Sequence, residues 1–506
     1  MTILQPGDTC WRIETADRAA FLVDTQDYFT AVSAALAKAK HSIILLGWGF
    51  DPRTRLHPDG FEGPDDPDEI GHVLIRLAQA RPDLDIRLLI WKSALPVAIS
   101  QDFFPHRSRA WFKNTSVKFV LDDAVPLAAC HHQKVLVIDD AIAFCGGGDF
   151  GIDRWDTLAH ADSDTRRLDP DQHQHPPRHE VVMMVDGAAA RGLGELARER
   201  WRRGTGETLA PPPAPEEDPW PAQVRPSVEN AGIAIIRTQP AWRGSDQIEE
   251  WRNLTLASIA EARHTLYLEN QYFTSPVIAE ALAKRLAEPD GPQIVLVSTA
   301  HSPSYFDKLT MDRTRSMMLR RLRSADVFGR FRALSPFTTA GKSIVVHAKV
   351  TIVDDRLVRI GSANLNNRSG GLDTECEVAI EASVAATSQA IVNLRNQLAG
   401  HYVGRSATDV ATASERHGGL IGAIDALNHG GRLRPIELVT LGPIARFIAA
   451  YHLGDPTGPA DDFAPLKRRR RLHEQVRAIA AGGLLELERP DIAPNEAKED
   501  ASARGV

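Results

Sequence analysis

One pattern occurs twice in this chain. HQKVLVIDDAIAFCGGGD begins at His132 and HAKVTIVDDRLVRIGSAN at His347, with His, Lys and Asp at relative positions 1, 3 and 8 and a glycine-rich stretch near positions 15 and 16. The flanks repeat in the same order. AKHSIILLGW from Ala39 and ARHTLYLENQ from Ala262 each join a small residue, a base, a histidine, a hydroxyl residue and an apolar run. Both follow stretches with apolar positions at helical spacing, FTAVSAALAKAK and IEEWRNLTLASIAEAR, and both precede a second strand-like run, DIRLLIW from Asp85 and QIVLVS from Gln293. That succession reads as βαβ units with parallel strands. Chance does not keep so many matches in one order, so the chain is a tandem duplication of one domain, offset by roughly 215 to 223 residues. The fold class follows: α/β, mixed sheets flanked by helices, the halves related by a pseudo-twofold with one active site between them.

At 506 residues, 43% hydrophobic and 25% charged, the chain is too long for one ordinary core. The repeat divides it into an N-terminal half, residues 1–203, and a C-terminal half, residues 233–404. Between them lies a proline- and acid-rich stretch, 204–232, which reads as an extended linker. Residues 405–506 form a partly helical extension with a charged tail that reads as disordered. The polar, turn-rich segment 157–178 suggests no regular element. A net charge of −7 gives no global basic field, which argues against a nucleic-acid partner. Cys10, Cys130, Cys145 and Cys376 lack the spacing of a disulfide framework or a zinc site, which suits a reducing compartment. The N-terminus lacks a signal peptide, and no run approaches the ~18 apolar residues of a membrane span. The expectation is a cytoplasmic protein without a transmembrane segment, touching the inner membrane face peripherally. The run KRRRR at 467–471 leaves two readings open, contact with anionic headgroups or one solvated helix face.

In H-x-K the first and third residues share a face of an extended chain, so His132 projects with Lys134 and His347 with Lys349. Gly147 and its neighbours allow a ligand close to the backbone, and Asp149, Ser362 and Asn364 are candidates for polar contacts to an anion with several oxygens. Displacement at phosphorus needs a nucleophile, an acid for the leaving oxygen and cations for the others, which two histidines and two lysines supply. Histidine suits both roles because its ordinary pKa is near ~6.5. No metal or cofactor is required. His131 reads as a structural neighbour, the histidines of HQHPPRH at 173–179 as exposed loop residues rather than a metal site, and Trp48 and Trp155 as core.

The duplicated H-x-K-x-x-x-x-D with its glycine-rich sequel resembles the phospholipase D superfamily. YLENQYF at 267–273 and GSANLNNRS at 361–369 are similar to segments around the second motif of those enzymes. GGGDFGIDRWD resembles the aspartate-bearing ending of phosphatidylcholine-type phospholipases, where nucleases and cardiolipin synthases usually carry asparagine. The likeness covers about residues 20 to 400. It implies a phospholipase D-like fold and a catalytic set of His132, Lys134, Asp139, His347, Lys349 and Asp354, with the two aspartates bracing turns rather than touching substrate. His132 would form a phosphohistidine, His347 would protonate the leaving alcohol and then activate water, and the lysines, with Asn364, would hold the non-bridging oxygens. Glu180 and Glu375 match the carboxylates that orient each imidazole, expected from the opposite half. Arg178 stands where relatives usually have tryptophan, and Glu180 where they have aspartate. The implied activity is phosphodiester hydrolysis of a glycerophospholipid to phosphatidic acid and head alcohol, with transfer to other alcohols. Its rivals are a cardiolipin-building phosphatidyltransferase, a nuclease and a non-catalytic lipid-binding module. A phospholipid is the implied partner, and a monomer is expected because one chain carries both half-sites.

Overall fold

The computed structural model describes residues 2–58, 68–93, 105–302, 304, 307–440 and 442–482. In chain order the N-terminal strands are β1 (Arg12–Val23), β2 (Ser42–Gly47), β3 (Asp85–Trp91), β4 (Lys118–Asp122), β5 (Val135–Ile138), β6 (Ile142–Gly146), β7 (Arg178–His179) and β8 (Val181–Asp186). The C-terminal ones are β9 (Val228–Gln239), β10 (Ile248–Glu249), β11 (Thr265–Glu269), β12 (Gln293–Val297), β13 (Phe331–Pro336), β14 (Val345–Val346), β15 (Val350–Val353), β16 (Leu357–Gly361), β17 (Glu375–Glu381) and β18 (Leu433–Pro435).

Outward from the middle, the N-terminal half runs β1-β8-β6-β5-β2-β3-β4 and the C-terminal half β9-β17-β16-β15-β11-β12-β13, with β18 on the last edge. The two orders correspond strand for strand. The runs from Ser42, Asp85 and Lys118 pair in parallel, as do those from Thr265, Gln293 and Phe331, which are the βαβ units of the repeat. Their strands are apolar on both faces because helices cover both sides, and Val135–Ile138 and Val350–Val353 are buried throughout. The main strands of both halves form one continuous mixed sheet, beside which β14 and β7 make a two-stranded parallel pair across the halves. The join is β1, which pairs antiparallel with β9 from Arg12↔Ile235 to Ala19↔Val228, so the halves share a continuous ladder.

Helix Thr25–Lys38 shows how the periodic stretches fold: Tyr28, Phe29, Ala31, Val32, Ala35 and Leu36 are buried along one stripe against the sheet. Within 204–232, irregular chain gives way to strand at Val228, so the last five residues of the expected linker belong to β9. Beyond 405, helices Ala407–Arg416, Leu420–Leu427, Pro443–Ala450 and Pro465–Ala481 pack onto the C-terminal half, Leu472 and Ile479 entering its core. The tail from 483 lies outside the described residues. KRRRR is divided: Arg468 is buried and donates to the carbonyls of His452, Asp461 and Asp462, whereas Lys467, Arg469 and Arg470 are exposed. Among the described residues no helix is long and apolar enough to cross a membrane.

Candidate active site

Both motif histidines stand just ahead of a buried strand, where backbone from the opposite half holds them. His347 N and Ala348 N donate to His179 O at 2.9 and 3.2 Å, continuing the parallel pairing of β14 with β7. His132 N donates to Thr374 O at 2.9 Å. Each histidine is therefore stitched to the residue before a glutamate of the other half. Glu375 Oε2 and Oε1 lie 2.9 and 3.1 Å from His132 Nδ1, and Glu180 Oε2 lies 2.7 Å from His347 Nδ1. Both glutamates are buried, each 1% exposed. A carboxylate on Nδ1 keeps the proton there and leaves Nε2 facing outward for chemistry.

The lysines fold back over their histidines. Lys134 Nζ donates to His132 O at 3.0 Å and pairs with Asp149 Oδ2 at 3.3 Å, while Lys349 Nζ donates to His347 O at 2.5 Å. Burial, with Lys134 adding repulsion, pushes the Lys349 amine down to about 7 against the pull of Glu180 and Glu375. Burial also holds His347 well below its ordinary range, helped by Lys349, Arg178, Arg154 and Lys134. Four cations thus bear on His347, of which Lys134 is paired with Asp149, and Arg154 and Arg178 with Asp153.

The two dyads differ in support. Glu375 accepts the hydroxyls of Ser362 at 2.5 Å and Ser369 at 2.6 Å. Burial alone would raise its pKa, but His132 and these hydroxyls bring it below the ordinary value. Gly147 occupies the place of Ser362 in the first copy, and a Cβ there would stand 2.4 Å from Glu180 Oε1. Only glycine fits, so Glu180 receives no such hydroxyl, its Oε1 is a buried atom without a hydrogen-bond partner, and burial raises its pKa.

The remaining predicted residues divide. Asp139 accepts the backbone N–H groups of Lys40, His41 and Ser42, and Asp354 those of Arg263, His264 and Thr265. Both stand at the far ends of β5 and β15 with φ of 52°, and they brace β2 and β11 rather than line the site. Asp149, expected on the anion, instead accepts from Trp48 N and Gly49 N and pairs with Lys134; a second carboxylate there would repel phosphate. Asn364 is buried beside Ser369, its N–H on that hydroxyl and its Oδ1 without a partner. His131 is structural, between Thr374 and Asp122. Trp48 packs beside Trp91 with their rings tilted, and Trp155 is core but lines a cavity with Arg53, Arg166 and His175. His179 corrects the reading of HQHPPRH as exposed loop, being wholly buried. Arg154 and Arg178, both acting on His347, were not foreseen as site cations; Arg154 sits in the GIDRWD tail of the first motif and Arg178 beside Glu180, which is the only signal either offers.

Residues 35–278 match a family profile described as phospholipase D, and residues 255–397 one described as cardiolipin synthase, PLD-like domain. Phospholipase D A of Dictyostelium discoideum is 24% identical over 446 residues, covering 75% of this chain and 34% of its own length. Phospholipase D1 of Saccharomyces cerevisiae is 25% identical over 469 residues, covering 73% of this chain and 27% of its own. The solved phosphatidylserine synthase of Haemophilus influenzae shares the fold, with a TM-score of 0.53 at 13% identity over 82% of this chain and 96% of that one. This chain belongs to the phospholipase D superfamily. It spans about a quarter to a third of the two curated relatives just named.

Proposed function

We propose that the protein is a phospholipase D-type phosphodiesterase that cleaves a glycerophospholipid to phosphatidic acid and its head alcohol. The observation that carries this reading is the pair of histidine–glutamate dyads crossed between the halves amid Lys134, Lys349, Arg154 and Arg178. His132 Nε2 attacks phosphorus while Nδ1–H donates to Glu375, whose negative charge, held by Ser362 and Ser369, stabilises the cation that develops on the phosphorylated ring. Lys134 and Lys349 neutralise the non-bridging oxygens, to which the side-chain amide of Asn364 donates a hydrogen bond. The P–O bond to the head alcohol breaks as His347 gives its proton to the leaving oxygen. His347 carries that proton only when the phosphodiester's charge offsets the surrounding cations, so the acid is armed by substrate binding. Neutral His347 then takes a proton from water, whose oxygen displaces His132 and releases phosphatidic acid. An alcohol in place of that water yields a transferred phosphatidyl group. The steps draw on no cofactor.

Both dyads come from one chain, which supports a monomer. Exposed Ile444, Phe447, Phe463 and Leu466 flank exposed Lys467, Arg469 and Arg470, an apolar and basic face that suits peripheral contact with an anionic membrane. All four cysteines are buried free thiols, in keeping with a reducing compartment. The profile described as cardiolipin synthase supports a second reading, transfer to the glycerol hydroxyl of another lipid. Pure protein incubated with mixed phospholipid vesicles and a primary alcohol, with products identified by mass, tests both. Phosphatidic acid and the phosphatidyl alcohol are expected; cardiolipin as the main product would favour the second reading, and no lipid product would refute the proposal.

A further inference from the structure

Behind the His347 dyad lies a buried cluster that the reaction does not use. Asp24, His160, His179 and His401 each offer one ligand atom, and these atoms lie within 4.8 Å of one another. Four separate segments bring them together. Asp24 precedes helix Thr25–Lys38, His160 lies in the 157–178 segment, His179 ends β7, and His401 is in the last turn of helix Ala385–Val403. Asp24 and His160 take positive φ, 66° and 41°, which ordinary residues adopt only where their surroundings over-determine it.

Each imidazole is held from outside. His160 Nδ1 lies 2.9 Å from Asp156 Oδ2, His179 Nε2 lies 2.8 Å from Glu269 Oε2, and His401 Nδ1 lies 3.3 Å from Gln397 O. Acceptors at the outer nitrogens of His160 and His401 place the protons there and turn the other nitrogen's lone pair inward, the support that metal-ligating histidines receive; His179 faces a carboxylate on both nitrogens, so its inner proton leaves when a metal binds. Inside, His160 Nε2, His401 Nε2 and Asp24 Oδ2 are buried atoms without a hydrogen-bond partner. With the outer nitrogens protonated, all three are acceptors. His160 Nε2 and Asp24 Oδ2 nonetheless face each other at 3.4 Å, and the fourth atom, His179 Nδ1, rests 2.8 Å from Asp24 Oδ1. A buried polar atom left unpaired costs about 1–3 kcal/mol, and the proton between His179 and Asp24 Oδ1 leaves His160 Nε2, His401 Nε2 and Asp24 Oδ2 unsatisfied, so a cation among them would pair all three.

We propose that Asp24, His160, His179 and His401 bind a divalent transition-metal ion of the zinc class. Three imidazole nitrogens and one carboxylate oxygen make a four-ligand set suited to tetrahedral zinc, with no thiolate and no position left for substrate. Zinc–nitrogen bonds of about 2.0–2.1 Å would set the ligand atoms roughly 3.3 Å apart, so the present spread closes by movements on the order of 1 Å. The ion is structural. Asp24, His160 and His179 belong to the N-terminal half, whereas His401, Glu269 and Gln397 belong to the C-terminal half, so binding clamps the halves together. It also fixes His179, whose neighbour Glu180 orients His347.

Full-length protein purified without chelators and assayed for metals is expected to contain stoichiometric zinc. After chelator dialysis, added zinc should raise the melting temperature, and cobalt should give the visible absorption of a tetrahedral site. His401→Ala and Asp24→Asn should lose uptake and spectrum, while His173→Ala, on an exposed loop position, should keep both. Wild-type protein that takes up neither metal and melts unchanged overturns the proposal, as does undiminished uptake by folded His401→Ala. The wild-type titration decides even if a variant fails to fold. None of these readouts is turnover, so their failure leaves the phosphodiesterase reading untouched, and the lipid assay can fail without touching the metal.

Discussion

Replacing Asp354 by alanine separates a bracing role from a chemical one. Its carboxylate accepts the N–H groups of Arg263, His264 and Thr265 at 2.9, 2.7 and 2.7 Å, tying the turn after β15 to the start of β11. Hydrogen bonds to a charged group contribute about 1.5–3 kcal/mol each, and three sharing one carboxylate fall short of additive, so the loss should be about 3–5 kcal/mol. Unfolding entropy of ~2.1 cal/mol/K per residue gives about 1 kcal/mol per kelvin for 506 residues, hence a melting temperature lower by roughly 3–5 °C. Asp354 follows His347 by seven residues, roughly 20 Å of extended chain. Turnover per folded molecule, measured below the transition, should therefore stay within a few-fold of wild type. Unchanged melting with activity down by two orders of magnitude would refute the reasoning and return the aspartate to the catalytic set.

His132→Ala and His347→Ala should each reduce phospholipid turnover at least ~10³-fold with little change in melting, because each removes a cleft side chain; appreciable activity in either variant sinks the two-histidine mechanism. With a nitrophenyl phosphodiester, whose phenolate leaves without an acid, acid-quenched His347→Ala should still carry phosphate on His132; label on His347 in the wild type would reverse the roles. Lys349 loses its proton above about pH 7 in the empty site, so kcat/KM should fall above that pH, while kcat, measured with the phosphodiester bound and favouring the charged amine, should hold to higher pH. Superimposed alkaline limbs would contradict this. Ser362→Ala removes one hydroxyl from Glu375 and should lower kcat roughly tenfold, with His132 labelling slowed in proportion.

The repeat was legible because its residues are close in sequence: H-x-K, the aspartate five further on and the glycines fall within 18 residues and recur. That the two halves share one strand order follows from it, although the order itself does not. The junction was not legible, since RIETADRAAFLV and VENAGIAIIRTQ are the long strands that unite the sheet yet carry no motif, and a strand's partner is not written in its own alternation. For the same reason the proline-rich stretch was extended five residues too far. In the site, histidines and lysines announce themselves by spacing. Ser369 does not, because its hydroxyl reaches Glu375 only after the short 3-10 turn Arg368–Gly370 folds it back. The Asp24, His160, His179 and His401 cluster was invisible for a stronger reason: four segments contribute one residue each, and no local pattern marks them.

The ladder between β1 and β9 bears on how such a chain can be cut. Residues 206–227 carry no regular structure, while the halves are joined by main-chain pairing at the centre of the sheet and by the backbone stitches at His132 and His347. The covalent connection is thus the least of their attachments. Severed there, the two fragments have the layout of a heterodimer in which each partner delivers the glutamate behind the other's histidine. Joining them in one polypeptide frees the copies from being identical, and the Ser362 and Gly147 difference shows that liberty in use: one glutamate is braced by hydroxyls, the other is left bare.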